Sequence, residues 1–279
     1  MLDLWRGIRG DRAAVAGLWM FAVIAAAAFL ASAGIDEYRA GFVVPEFMNL
    51  PPSRAFPLGT DPAGRCMVGR LMLGARNSLL IAGTVTVLSG AAGILYGLVS
   101  GFAGGIVDNA MMRLLDFFLM LPSLLIIIAV LSMLGDYGVW QFSLIMTAFL
   151  WADRARLLRA KALQQAGLDY VAASRTLGTP RAVIMLREVL PNLAPVITVN
   201  MTLTLASNIG LETGLTFLGY GLPIGTPSLG TLISYAAVPT VMLTRPWQWL
   251  PAAMLVFVMM LSVYLVGQAA GRAADSSNT

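Results

Sequence analysis

Apolar runs about as long as a bilayer is thick, separated by short clusters of charge, dominate the 279 positions of this chain. Crossing ~30 Å of hydrocarbon takes about 20 helical residues. The charge-poor runs at 13–33, 79–102, 114–134, 193–211 and 250–270 therefore each predict a membrane-spanning helix. A sixth run, 137–151, is short because Asp136 and Asp153 bracket it. It crosses if the helix continues through Arg154, Arg156 and Arg159, with their charged heads snorkelling to the interface. The pattern predicts an all-α integral membrane protein with six transmembrane helices.

Composition agrees with that reading. Apolar residues make up 58% and charged residues 11% of the chain, against roughly 25% charged in an average soluble domain. Mean hydropathy is +0.79. A net charge of +4 could point to nucleic acid, but the arginines cluster beside apolar runs and form no basic face interleaved with stacking aromatics. The first 34 residues carry a positive region and then about twenty apolar residues, longer than the core of a secretory signal. They are expected to remain as the first span.

Basic residues are enriched on the cytoplasmic side of membrane proteins. With the N-terminus inside, the cytoplasmic segments hold Arg6, Arg9, Arg12, Arg113, Arg154, Arg156, Arg159, Lys161, Arg175, Arg181, Arg187 and Arg272, twelve of the eighteen basic residues. Arg39, Arg54, Arg65, Arg70, Arg76 and Arg245 fall outside. Both termini are then cytoplasmic.

One cytoplasmic segment is unlike a loop. DYVAASRTLGTPRAVIMLREVLPN, residues 169–192, predicts two short amphipathic helices meeting at a fixed elbow and closed by Leu190-Pro191-Asn192. Asp169 suits an N-cap, Gly178 the left-handed position that ends a helix, Thr179 a second cap and Pro180 a first helical turn. Tyr170, Ala173, Ser174 and Leu177 share one helical face, and Val183, Leu186 and Leu190 another, so these faces are expected to pack. A helix lying on the lipid surface is the plain alternative for this segment.

Chemistry is constrained by what is missing. Cys66 is the single cysteine and is read as a bystander thiol. Histidine is absent, which excludes Ser-His-Asp catalysis and the common zinc sites. The sequence holds no G-x-x-x-x-G-K-[ST], and its one lysine, Lys161, lies in Arg-Ala-Lys-Ala-Leu, so it has no loop to cradle ATP phosphates. Asp116 and Glu212 stand at the ends of apolar runs, where a structural or gating role is the simplest reading and an ion path the bolder one. After Glu212 come Gly214, Gly219, Gly221, Pro223, Gly225, Pro227 and Gly230. Irregular backbone of this kind cannot face lipid and must be buried or border water. Asn208, Glu212, Thr213, Thr216 and Tyr220 are therefore candidate pathway or gate residues.

The elbow resembles the Glu-Ala-Ala loop of ABC importer permeases: a triplet, three residues, a Gly, then nine residues and a closing hydrophobic-x-Leu-Pro. Ala172, Ala173 and Ser174 occupy the triplet, Gly178 has the right spacing, and Leu190-Pro191 closes the motif. FPLGTDPAGRCMVGRLMLGARNSLL (56–80), GGIVDNAMMRLLDFFLMLPSLL and ETGLTFLGYGLPIGTPSLGTLI resemble further blocks of the peptide/nickel branch, of its C-type permease, in the same order. Departures stand out. Ala172 replaces the usual Glu, Cys66 replaces an acidic residue after Gly-Arg, and GQAAGRAADSSNT replaces a C-terminal Gly-Asp and Asp-Pro pattern, while Glu188 occupies a usually hydrophobic position.

The resemblance implies a MetI-like type I permease fold in the inner membrane of a prokaryote. Residues 1–78 would hold the N-terminal segment, first span and extracytoplasmic loop, 79–271 a five-helix core, and 272–279 a tail. Its elbow, with Asp169, Tyr170, Ala172, Ala173, Ser174, Arg175, Gly178, Arg181, Leu190 and Pro191, would couple to an ATPase. The implied partners are a homologous second permease subunit, two ATPase subunits that bind ATP and Mg, an extracytoplasmic solute-binding protein and membrane lipid, with no nucleic acid. No metal or cofactor would bind this chain. Small peptides are the first substrate class, with nickel or a metal chelate second. A stand-alone secondary transporter is the competing class, and it would need coupling carboxylates and inverted repeats.

Overall fold

The computed structural model describes residues 9–35, 42–223 and 225–276. Arg6 and Arg39, used above to argue orientation, lie outside them, as does the end of the tail at 277–279. Among the described residues the structure is helical, apart from loops and one isolated bridge between Thr60 and Cys66.

Helix α1 (Arg12–Ala33) starts where the Asp11 carboxylate accepts hydrogen bonds from the Ala13 and Ala14 N–H groups. Its 22 residues extend about 33 Å, enough to cross a bilayer. Helix α2 (Met67–Ala103) is longer than expected at 37 residues. It begins twelve residues before position 79, which puts Arg70 and Arg76 on the helix rather than in a loop. At about 55 Å it exceeds the hydrocarbon and must emerge from it.

The expected third span is broken. Helices α3 (Gly105–Met120) and α4 (Ser123–Met133) meet at a bend of 71°. Pro122 lacks an N–H, and the residue before a proline is driven to extended geometry. Leu121 accordingly has φ −78° and ψ 130°. The expected fourth span is helix α5 (Val139–Leu150), which continues past Trp151 as α6 (Ala152–Ala166). The extension exists, and two of its arginines pair with carboxylates of α3. Arg159 makes a two-pronged pair with Asp108 at 2.6 Å for each prong, and Arg156 reaches Asp116 at 2.5 Å. Asp116 is half exposed in that pair.

Among the described residues four helices are long and apolar enough to cross a membrane, five if α3 and α4 form one bent span. Helix α5, at 12 residues, falls short by itself.

After α7 (Asp169–Thr176) and α8 (Arg181–Ile184), a π-helical turn at Met185–Val189 leads into α9 (Leu190–Phe217). The second elbow helix was expected to close at Leu190-Pro191-Asn192, ahead of a separate span from 193; instead Arg181–Phe217 forms one helical rod. Pro191 cannot donate to the carbonyl four residues back, and its ring would collide with it. The wider π turn accommodates this, with Leu190 N–H bonding Met185 five residues back.

Two short helices, α10 (Leu229–Ile233) and α11 (Pro239–Thr244), precede α12 (Leu250–Ser276). Helix α12 runs on through the start of the expected tail. Its Arg272 pairs with Asp11, so the beginning of α1 and the end of α12 lie at the same end of the bundle.

Helix α2 is the central post. Ala75, Leu79 and Ala82 pack with Ile209, Leu229 and Met259 on one side, while Ile81 and Val85 meet Ile127, Phe142 and Met146 on another. Toward its end, Gly93, Gly97 and Gly101 lie against α6, the helix it packs on most extensively. Small residues four apart allow such close backbone approach.

Candidate functional site

Two regions hold the candidate residues. The first is the elbow. Val171, Ile184 and Val189 are fully buried with Leu98, Phe102 and Ala162, which ties both arms to α2 and α6. The predicted packing faces are rotated by about one position. Tyr170, Ser174, Val183 and Leu190 are half-buried, whereas Ala173, Leu186 and Leu177 are exposed, the last at 84%.

The N-cap assignments also change. Helix α7 is preceded by Leu168, with no side-chain cap, and Asp169 already lies inside its first turn. Pro180, not Thr179, precedes α8, again without a side-chain cap. With Ala172 in place of Glu, Asp169 has no reciprocal partner to fix it as a cap.

Gly178 ends α7 as expected, with φ +81°. The Thr179 N–H reaches the Ser174 carbonyl at 3.1 Å and the Gly178 N–H reaches that of Arg175 at 3.0 Å, the paired bonds of a Schellman ending. Across the turn, the Ser174 hydroxyl lies 2.9 and 2.8 Å from the two oxygens of Glu188. Arg175 stacks its guanidinium over the Phe102 ring at 5.1 Å. Asp169, Ala172, Ala173, Arg181 and Pro191 are exposed.

The second region surrounds Glu212, which is fully buried in α9 rather than at its frayed end. Thr216 donates to it at 3.1 Å, Thr213 lies at 3.5 Å, and the Ser78 and Ser228 hydroxyls also bond it. Ser78 in turn accepts the Leu229 N–H at 3.1 Å. Glu212 thus joins α2, α9 and the start of α10. Asn208 is buried one turn earlier and donates to Thr86 at 2.9 Å.

The glycine- and proline-rich backbone after α9 is held by protein. Tyr137 donates to the Gly221 carbonyl at 2.6 Å and Asn77 to that of Pro227 at 2.8 Å. Gly219–Pro223 border a cavity of about 550 Å³. Of the five pathway candidates, Thr216 and Tyr220 line it, while Asn208 and Thr213 are packed within the helix bundle beside Glu212.

Sequence patterns gave little warning of what lies behind Arg70 and Tyr235, which line that cavity. Asp61, in the Leu-Gly-Thr-Asp block, is completely buried. Its Oδ2 accepts from Arg65 at 2.7 Å and Tyr235 at 3.3 Å, and Arg70 Nε approaches to 3.6 Å. The loop bearing it is fastened to the 245–249 turn, where Gln248 donates to the Thr60 carbonyl at 3.0 Å and Arg245 to Asn49 at 2.7 Å. The one available signal was an arginine lying within a helix-length apolar pattern.

Comparison with known proteins places this geometry in context. Residues 93–275 match the family model described as binding-protein-dependent transport system inner membrane component. The chain is 43% identical to the oligopeptide transport system permease protein OppC of Lactococcus lactis subsp. lactis over 78% of this chain and 74% of that protein. It is 31% identical to the dipeptide transport system permease protein DppC of Bacillus subtilis over 98% of this chain and 84% of that protein. Against OppC of B. subtilis the identity is 32%, over 98% and 90% respectively.

Proposed function

The chain belongs to the family of binding-protein-dependent transport system inner membrane components, and on that premise we propose that it is one of two permease subunits of an ABC importer of small peptides. The observation that carries this reading is the elbow. A rigidly folded arm, anchored by Val171, Ile184 and Val189, presents Ala172, Ala173 and the exposed Leu177 to whatever lies beyond it. An ordered projection with a small, close-approach face of this kind suits docking on a protein partner, and a separate ATPase subunit fits that role.

In this reading the elbow is cytoplasmic and the chain crosses the membrane six times, with the bent α3–α4 pair and α5–α6 counted as spans. A second permease completes the pathway. Two ATPase subunits bind ATP and Mg²⁺, and an extracytoplasmic protein delivers the solute. ATP-driven closure of the ATPase pair moves the elbow. Continuity of the rod from Arg181 to Phe217 carries that movement to Glu212 and the segment beyond it. Asp169, Tyr170, Arg175, Gly178 and Arg181 shape or flank the docking face, and Leu190-Pro191 forms the junction with α9.

Peptide as cargo is supported by the relatives, which are named oligopeptide and dipeptide permeases; none of these names mentions nickel or a metal chelate. The family membership also weighs against a stand-alone secondary transporter. The test is uptake of radiolabelled trialanine by cells deleted for this gene and by the same cells carrying it on a plasmid. Uptake lost on deletion and restored by the plasmid supports the reading, and uptake untouched by deletion rejects it.

A further inference from the structure

The cavity beside α9 has an unbalanced charge in its wall. Arg70 lines it and is only 2% exposed, and its Nε and Nη2 atoms have no hydrogen-bond partner. Among the described residues, Asp61 is the carboxylate within ion-pair range of Arg70, and it is already saturated. Its Oδ2 serves Arg65 and Tyr235, and its Oδ1 accepts the backbone N–H groups of Ala63 and Arg65, each at 2.9 Å. Among the described residues two guanidinium groups face this one carboxylate, an excess of one positive charge.

A buried cation without full compensation costs several kcal/mol, and unsatisfied buried groups of this kind call for a functional explanation. The cavity also has a negative element, since the exposed Asp136 lines it together with Tyr137, Tyr220 and Tyr235. A simple inorganic anion would gain from Arg70 and lose to Asp136. A zwitterion gains from both. The volume of about 550 Å³ lies within the range of small-molecule sites, and tyrosines supply flat apolar walls with polar tips.

We propose that this cavity binds a short peptide with a free C-terminus, Arg70 taking the carboxylate and Asp136 supplying the counter-charge for the ammonium end. The proposal rests on the peptide-import reading and adds a site within this chain. A guanidinium fork recognises a carboxylate through paired, charge-assisted hydrogen bonds, so peptide amides should be discriminated against.

The test uses washed, open membrane fragments carrying the full-length chain with its own partners, in a Cys66→Ser, Ser132→Cys background. Ser132 is exposed and lines the cavity, so the rate at which its replacement reacts with a methanethiosulfonate reagent reports occupancy. Trialanine should slow the reaction. Trialanine amide should need about tenfold more for the same protection, as should trialanine in the Arg70→Met variant, because one charge-assisted bond is lost. Arg70→Lys should fall between. Equal protection by the amide or by acetate, no protection by trialanine, or an Arg70→Met variant indistinguishable from its parent would overturn the proposal. If Arg70→Met is lost from the membrane, the comparison of trialanine with its amide in the Arg70 protein decides alone. Trialanine uptake measured in the same cells separates the two levels: uptake without protection removes this site and leaves import standing, whereas absent uptake removes the import reading itself.

Discussion

The hydroxyl of Ser174 sits within hydrogen-bond distance of both carboxylate oxygens of Glu188, at 2.9 and 2.8 Å. Each residue departs from the family pattern by itself, Ser174 standing in an Ala position and Glu188 in a hydrophobic one. Together they form a polar latch that crosses the elbow and holds α7 against the π turn. Ser174→Ala strands a half-buried carboxylate and should cost about 1–2 kcal/mol. Glu188→Leu restores an apolar residue at that position. The double variant should therefore be less destabilised than the sum of the singles. Scanning fluorimetry of the purified chain in detergent measures this, and strict additivity would remove the latch.

How far the elbow was legible depended on local signals. Gly178 stood out because a helix ending of this kind needs a residue that tolerates φ > 0, and that requirement is written in one position. The latch was not legible, since 14 residues and an unknown turn angle separate its partners. The break at Leu121–Pro122 was overlooked because an apolar run registers length and not the missing amide of Pro122. Arg70 falls outside the apolar run that begins at 79, and its approach to Asp61 depends on a fold that no spacing reveals.

Gly178→Val should uncouple without unfolding. A Cβ at Gly178 meets nothing within 4 Å, so the whole penalty comes from the backbone at φ +81°, about 1–2 kcal/mol for a β-branched residue. Insertion should stay near wild type while co-purification of the ATPase subunits, or the dependence of uptake on their hydrolysis, declines. Gly178→Asn, which tolerates the left-handed region, should recover most of the loss. Arg154 is unsuitable as a charge-removal control because it is half-buried against Gly93. Exposed Arg187 is better. Wild-type assembly and uptake by Gly178→Val would favour a surface-lying helix over a rigid coupling element.

Orientation is checked by single cysteines in a Cys66→Ser background. Thr179→Cys should react with an impermeant thiol reagent only from the cytoplasmic face, and Ser53→Cys only from outside. The opposite result would invert the topology and move the elbow away from any ATPase.

Acid should loosen the contact between the ends of the bundle. Arg272 beside Asp11, joined by the Ala13 N–H, holds the Asp11 carboxyl below the ordinary value of 3.8. A depressed carboxylate stabilises the fold above its unfolded value, and that contribution disappears as pH falls through the folded one. The distance between spin labels at Ala13 and Gly271 should thus be constant from pH 7 to pH 5 and broaden below about pH 4, with Asp11→Asn already broad at pH 7. A distribution independent of both pH and Asp11 would show that packing alone closes the bundle.

The close approach of α2 and α6 gives a sharp packing prediction. A Cβ at Gly97 would lie 2.7 Å from the Arg159 nitrogen, 2.8 Å from the Ala155 carbonyl oxygen and 2.8 Å from Leu158 Cβ. Two of these atoms are backbone and cannot rotate away, so Gly97→Ala must push α6 off α2. The displacement also strains the Arg159–Asp108 pair, whose prongs are both 2.6 Å. Overpacking at such a contact costs typically about 1–3 kcal/mol. Gly83, on the same helix, has nothing within 4 Å of its would-be Cβ. There Gly83→Ala gains helix propensity and should be neutral or stabilising by up to about 1 kcal/mol. The same substitution on one helix should therefore have opposite signs at two positions, read as a lowered melting temperature for Gly97→Ala and an unchanged or raised one for Gly83→Ala. If the two variants melt together, α2 and α6 do not approach as closely as this backbone requires.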